Sequence, residues 1–335
     1  MDFDFTDEQY ALRDAARDFF AGECPPSRVR ARWDGDDHDE QLWRSMAETG
    51  FIGLTVPTEH GGLGLGDVDL TLLLHEAGRA VVSAPLLETT AIAAPLLVEA
   101  GTDQQRQAWL PRITAGEAVV TVQLDGAPFV VDADVAQLLL LERDGQLHAV
   151  PRELFQATRQ PSLDGARRVF TVEAETGDDT RMAGGPQAAA KAFDRGAAGT
   201  AAILNGLSER LLEMTVAYVL QREQFGRPVG SFQAVKHKLA ETMLLTEPSK
   251  AATWYAAYAI ACDLDDRSEA ASVAKSFATQ AAAKASAEAL QCHGGIGFTW
   301  EHDLHLWLKR GKALESSYGT AAAHRARLAE VVFAS

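Results

Sequence analysis

The sequence predicts an α+β protein, mainly α, with an N-terminal helical domain, a small middle β domain and a C-terminal four-helix bundle. Three observations carry this. The first third shows helical periodicity with capping boxes. From about residue 118 the pattern shifts to short β-branched or apolar runs. From about residue 185 long amphipathic and alanine-rich stretches return. Runs of one element type followed by runs of another favour α+β or separate domains over a doubly wound sheet. The predicted boundaries are 1–117, 118–184 and 185–335.

The elements follow in order. "FTDEQYALRDAARDFF" opens on a capping box, with Thr6 as N-cap and Gln9 three residues on. Phe5, Leu12, Ala16 and Phe19 or Phe20 fall near one face. "DEQLWRSMAETG" predicts a second short helix closed by Gly50. Pro57 and four glycines break the pattern in "FIGLTVPTEHGGLGLG". Helices resume at "DVDLTLLLHEAGRAV", "PLLETTAIAAPLLVEA" and "TDQQRQAWLPRITAG", the last with Thr102 and Gln105 as a capping box. "AVVTVQL", "VAQLLLLE", "QLHAVP" and "RRVFTVEAE" read as strands, with turn signals at "RDGQ" and "LDGA". Leu204, Leu207, Leu211, Met214 and Tyr218 then step by three and four, an amphipathic stripe. Ser231 is the expected cap of the helix that follows, and the alanines after residue 267 permit close helix packing.

Bulk properties narrow the function. The 335 residues are 47% hydrophobic, enough for a sizeable core. A formal net charge of −16 argues against nucleic-acid binding and against an anionic membrane surface. Cys24, Cys262 and Cys292 are odd in number and scattered, so no disulfide framework or zinc spacing is read. A cytoplasmic location is expected. "MDFDFTDEQY" has no basic or apolar leader pattern, and no run is long and apolar enough to span a membrane.

Three stretches are candidates for chemistry. In "QREQFGRPVGSFQAVKHKLAE", Gly226, Pro228 and Gly230 make a tight connection, Arg222 and Arg227 could hold phosphates, and the next helix brings a positive dipole end. In "QCHGGIGFTWEHDLHLWLKR", Gly294, Gly295 and Gly297 let backbone approach a ligand. It is no dinucleotide fingerprint, because no strand precedes it. In "ALESSYGTAAAHR", Gly319-Thr320 opens a helix with Thr320 as cap. On spacing alone each also reads as ordinary structure: a helix hairpin, a helix C-cap and a helix start. His293, His302 and His305 lack metal-ligand register, so no metal is expected.

Taken together, these stretches resemble the acyl-CoA dehydrogenase family. "REQFGRPVGSFQAVKHKLAE" and "QCHGGIGFTWEHDLHLWLKRGKA" are similar to its two signatures, "YGT" falls where the family has a Glu-Gly-Thr turn, and "FIGLTVPTEHGGLGLG" is similar to its N-terminal glycine-rich segment. The resemblance implies FAD as cofactor, an acyl-CoA substrate and electron-transfer flavoprotein as acceptor. In the family a glutamate takes the α-proton while the flavin takes a hydride from the β-carbon, and FAD lies across a subunit interface. Carried over residue by residue, Arg222 matches the arginine of the FAD pyrophosphate and Phe225 an aromatic beside it. Phe232 and Gln233 match the start of the next helix near the cofactor. Gln291, Gly294 and Gly295 match the segment approaching the pyrophosphate, Thr320 the threonine of the turn, and Gly319 the turn glycine on the substrate side. The residue two beyond Thr320, often glutamine in the family, is Ala322.

Three departures follow. The family's usual base position is Tyr318, and a phenol is a poor base at neutral pH. The alternative base position, on the first long helix of the bundle, is Gly196. The loop and strand that hold the flavin ring are missing, and "TVQLDGAPFVVDADVAQLLLLE" stands in their place. This pattern resembles the base-lacking short subunit of heteromeric acyl-CoA dehydrogenases of steroid side-chain degradation, in which a longer subunit supplies the base. That implies a heterotetramer-type partner and no catalytic residue on this chain. The alternatives are a self-sufficient homomer with a displaced base (Asp194, Glu241 or Glu247), a non-catalytic helical scaffold, and a monooxygenase-like flavoprotein.

Overall fold

The structure is a computed structural model that describes residues 4–334 except 36, 37 and 125. Residues 1–3 of the stretch read for a leader lie outside it.

Six helices build the N-terminal part: α1 (Asp7–Glu23), α2 (Pro26–Asp34), α3 (Glu40–Glu48), α4 (Asp67–Arg79), α5 (Ala94–Ala100) and α6 (Asp103–Thr114). Both capping boxes form, at Thr6/Gln9 and Thr102/Gln105. Gly50 stands one residue past the α3 C-cap at φ 83°, the left-handed conformation that ends a helix. Two elements differ from expectation. Pro25 and Pro26 start α2, a helix the sequence pattern did not show, with proline's fixed φ suiting a first turn. "PLLETTAIAAPLLVEA" is not one α-helix: Leu87–Ala93 is π-helical, entirely buried, and passes into α5.

The middle region holds two small sheets. β1 (Val120–Gln123) pairs parallel with β3 (Leu138–Arg143), which forms a hairpin with β4 (Gln146–Pro151). Asp144 and Gly145 turn that hairpin at φ 52° and 72°, the two positive values such a turn needs. The second sheet runs β2 (Val130–Val131), β6 (Val169–Ala174), β5 (Phe155–Gln160) in space. The sequence reading missed β2 and β5: one is two residues long, the other mostly polar.

The C-terminal bundle consists of α7 (Pro186–Gln221), α8 (Gln233–Ala261), α9 (Arg267–His293), α10 (Leu304–Leu314) and α11 (Ala321–Ala334). A two-residue hairpin of β7 (Glu223–Gln224) and β8 (Arg227–Pro228) joins α7 to α8. Leu204, Leu207 and Leu211 are buried as the stripe predicts. Ser231 does not cap α8; Phe232 holds the N-cap position and contributes no side-chain bond. The buried face of α8 is polar: Thr242, Thr246 and Thr253 each donate to the carbonyl four residues back, and Asn205 bonds Ser249 and Thr253. Meanwhile Met243 and Leu244 of the same helix are exposed.

α4 and α7 cross backbone to backbone. A Cβ on Gly206 would stand 1.9 Å from the His75 carbonyl oxygen, and one on Gly78 2.1 Å from that of Ile203. Below this crossing sits a buried charge cluster. His75 lies 3.3 Å from both Glu76 and Glu209, and Arg79 bonds Glu209 and Glu213.

Candidate functional site

The sequence-predicted residues fall into two groups at opposite ends of α7. Arg222 is its C-cap and Gly196 lies ten residues into its N-terminal half. At 1.5 Å per residue the two positions are about 39 Å apart along the helix.

The first group surrounds a cleft of about 530 Å³ between the ends of α7, α8 and α9. Arg222, Gln291, Gly294 and Gly295 line it together with Tyr218, Val229, Lys238 and His293. The chain builds it from helix ends. Val229 N–H donates to the Arg222 carbonyl at 2.7 Å, closing the turn into α8. Gly294 ends α9 at φ 61°, and no atom lies within 4 Å of where a Cβ would stand on Gly294 or Gly295. Their backbone is therefore open to a ligand. His293 stacks on Tyr218 at 4.4 Å and donates from Nδ1 to the Ala289 carbonyl, which fixes the cleft's floor.

Two features give the cleft its chemistry. Lys238 is engaged by Glu288, but the exposed Arg222 guanidinium makes no ion pair or hydrogen bond among the described residues. The α8 N-terminus has no side-chain cap; Val235 N–H donates to the Phe232 carbonyl, and the Gln233 and Ala234 N–H groups remain as donors beside the lining. A free guanidinium, an uncapped helix start and open glycine backbone fit a phosphate-bearing group. Phe225 and Phe232 meet edge to face at 6.1 Å on the rim, and the Arg227 guanidinium lies 4.1 Å from the Phe232 ring. Gln233 bonds His237 there.

The second group is the turn between α10 and α11. Thr320 Oγ1 accepts from the Ala323 N–H, the predicted helix cap. Tyr318 and Gly319 are both left-handed, at φ 51° and 92°. For tyrosine this is a strained conformation, and the surroundings impose it. His324 donates from Nε2 to the Tyr318 carbonyl at 2.8 Å. Lys275, fully buried, donates to the carbonyls of Leu314 and Glu315 and to Thr279. Arg167 donates to the Ser317 hydroxyl. Burial pulls the Lys275 pKa down to about 8.

This turn drives the Tyr318 ring onto Gly196. A Cβ at Gly196 would stand 2.3 Å from Cδ1 and 2.6 Å from Cε1 of that ring. The two positions where the resemblance places a base are thus in contact, and neither carries a carboxylate. Burial pushes the phenol pKa well above its usual value, with the nearby Glu88 carboxylate adding to the shift. At neutral pH it has no basic form to offer.

Behind the ring lies a residue that the sequence reading missed. Glu88 projects from the π-helical segment toward Arg167, 3.9 Å away. Burial raises its pKa, which Arg167 offsets only in part. It lines a small, partly open cavity of about 50 Å³ with Asp132, Arg167 and Arg310, room for a few waters rather than an acyl chain. Its signal in sequence was a lone carboxylate in an apolar run. Lys275 had a comparable one: it shares the buried register of Ala271, Ala278 and Ala282.

The acids weighed as displaced bases are committed elsewhere. Asp194 is fully buried and bonds Ser268 and Arg327. Glu241 pairs with Lys284, and Glu247 with Lys250.

The chain matches the models of the acyl-CoA dehydrogenase N-terminal domain over residues 6–117 and C-terminal domain over residues 183–333. It is 36% identical over 311 residues to "Acyl-CoA dehydrogenase IpdE2" of Mycobacterium tuberculosis, covering 91% of each chain. It is 32% identical to the IpdE2 of Mycolicibacterium smegmatis, over 98% of this chain and 100% of the other. Its fold superposes on that of the "Tcur3481-Tcur3483 steroid ACAD G363A variant" with a TM-score of 0.88 at 28% identity, over 97% of this chain and 98% of that one. It also superposes on the ChsE4-ChsE5 complex of Mycobacterium tuberculosis with a TM-score of 0.91 at 24% identity, over 99% of each. The motifs, the fold and these matches together make the chain a member of the acyl-CoA dehydrogenase family of oxidoreductases.

Proposed function

We propose that this chain is the non-base-supplying subunit of a heteromeric FAD-dependent acyl-CoA dehydrogenase. The observation that carries the reading is the buried Tyr318 ring on Gly196, which fills both family base positions without a carboxylate. The cleft at Arg222 lies about 39 Å along α7 from Gly196, where the Tyr318 ring sits. A cofactor held at the cleft would in this reading direct its flavin ring away from this chain's own Tyr318 turn. At the other end of α7, the place for this chain's own acyl group and base is filled by Tyr318 on Gly196.

In this reading Arg222, the Gly294-Gly295 backbone and the open α8 N-terminus hold the FAD pyrophosphate, and Gln291 flanks it. Bound there, FAD would supply the hydride acceptor for α,β-dehydrogenation. The longer partner supplies the carboxylate that takes the α-proton. Leu220, Phe225 and Phe298, exposed at 63%, 92% and 77%, flank the cleft. Apolar side chains at such exposure suit burial against a second chain. Among the described residues no helix is long and apolar enough to cross a membrane. One structural relative is a "steroid ACAD", which makes bulky acyl-CoA thioesters the substrate class to test first.

The test is to purify the chain alone and with a longer family member that carries the glutamate. Alone it should hold little flavin and turn over no acyl-CoA; together they should give a flavin-loaded, active complex. Turnover by the isolated chain would overturn the reading. If Glu88→Gln then abolished that turnover, a self-sufficient enzyme with Glu88 as its displaced base would replace it.

A further inference from the structure

The molecule holds a buried cluster that neither the cleft nor the Tyr318 turn uses. Arg32 of α2 and Arg168 at the start of β6 are deeply buried, being only 6% and 4% exposed. All three guanidinium nitrogens of Arg32, and Nε and Nη1 of Arg168, have no hydrogen-bond partner among the described residues. Both ring nitrogens of His38 are likewise buried and unpartnered. The acids nearby do not satisfy them. Asp132 stays 3.8 Å from Arg32, beyond hydrogen-bond reach, and Asp134 engages only one nitrogen of Arg168.

The imbalance is in donors. Five unpartnered guanidinium nitrogens stand with two unpartnered carboxylate oxygens, Oδ1 of Asp132 and of Asp134, while the neutral His38 ring adds one donor and one acceptor. Water alone corrects this poorly, because each water brings two donors of its own into a site already rich in them. A ligand that only accepts does correct it. Charge agrees: Arg32 and Arg168 act on each other and on His38, and together with burial they depress the pKa of Arg32 and of His38. Arg167 acts on Asp132 from the cavity side. Burial raises the Asp132 pKa to about 6, so its negative charge is weakly held. Asp132 and Arg167 also line the partly open cavity, and His38 lines a surface groove with Val135, so the cluster borders both. His38 is the member of the cluster that meets the groove.

We infer that Arg32 and Arg168 form a buried site for one small oxyanion, a carboxylate or phosphate group, with His38 on its groove side. The guanidinium forks match either geometry. The site is separate from the proposed FAD cleft, since none of its residues lines that cleft.

The test uses the full chain. Anions released on denaturing the purified protein are identified by ion chromatography. The exchanged protein is then titrated calorimetrically with inorganic phosphate and, separately, with acetate. The expected result is about one oxyanion per chain, released or bound saturably, with the tighter of the two naming the chemistry. Arg32→Gln should weaken that binding at least tenfold, the loss of one charge-assisted bond. Should that variant not fold, Arg168→Lys keeps the charge, loses the fork and should show the same weakening with a near-native thermal midpoint. No stoichiometric released anion together with no saturable heat would overturn the inference. So would binding that both variants leave unchanged, which marks an adventitious ion only.

Discussion

The contact between Tyr318 and Gly196 makes a prediction with a change of sign. Gly196→Ala places a methyl 2.3 Å from the Tyr318 ring, more than 1 Å inside ordinary contact, so the ring must swing on a turn that His324, Lys275 and Arg167 hold. Overpacking of that kind costs about 1–3 kcal/mol, and this overlap places it near the upper end. Against it stands the helix propensity of alanine over glycine, a gain of about 1 kcal/mol. Alone, Gly196→Ala should therefore destabilise by about 2 kcal/mol. Once Tyr318→Ala has removed the ring, the three atoms nearest the methyl are gone and the propensity gain should dominate. In that background Gly196→Ala should stabilise by about 1 kcal/mol, giving a coupling near 3 kcal/mol. Urea unfolding of the four proteins measures it from the shifts in midpoint. A coupling within about 0.5 kcal/mol of zero would show that the ring does not occupy the base position, and the plugged site would fall with it.

Other consequences concern stability and pH. Gly206→Ala forces α4 and α7 apart against backbone atoms that cannot yield, and should cost about 3 kcal/mol or more. Gly22→Ala, on an open face of α1, should be neutral or stabilising by up to about 1 kcal/mol, and equal thermal midpoints for the two variants would refute the packing account. Burial opposes the charge on His75, but Glu209 and Glu76 outweigh it and raise its pKa. The stability this adds is present in full below the unfolded value of about 6.5 and is lost as pH climbs through the raised folded value. His75→Gln should flatten that alkaline decline in chemical denaturation; an unchanged slope would contradict it.

Much of this was legible in the sequence, for physical reasons that differ by element. Thr6/Gln9, Thr102/Gln105 and Thr320 are local devices, each complete within four residues, and each forms as read. The stripe at Leu204, Leu207 and Leu211 was equally visible because one helix face buries it. α2 hid because its nine residues carry three arginines and no apolar repeat, with Val29 the buried apolar side chain among those described. Ser231 looked like a cap, but the hairpin before it places Phe232 at the helix start. The site was legible as motifs and not as an arrangement. Arg222, Gln291, Gly294 and Gly295 belong to two separate stretches that only the antiparallel packing of α7, α8 and α9 brings to one cleft. The meeting of Tyr318 with Gly196, and the carboxylate of Glu88 behind them, depend on contacts across more than a hundred residues, which no local pattern encodes.

The central claim is that this chain completes a flavin site belonging to another subunit. The most direct measurement is the flavin content of the mixed complex with Arg222→Met in this chain alone. Losing one charge-assisted contact of about 1.5–3 kcal/mol predicts a rise in the dissociation constant of roughly ten- to a hundredfold. The complex should stay assembled, with the partner's glutamate intact, while its bound flavin and activity fall together and added FAD restores both. Full flavin content and wild-type affinity in the Arg222→Met complex would contradict the claim.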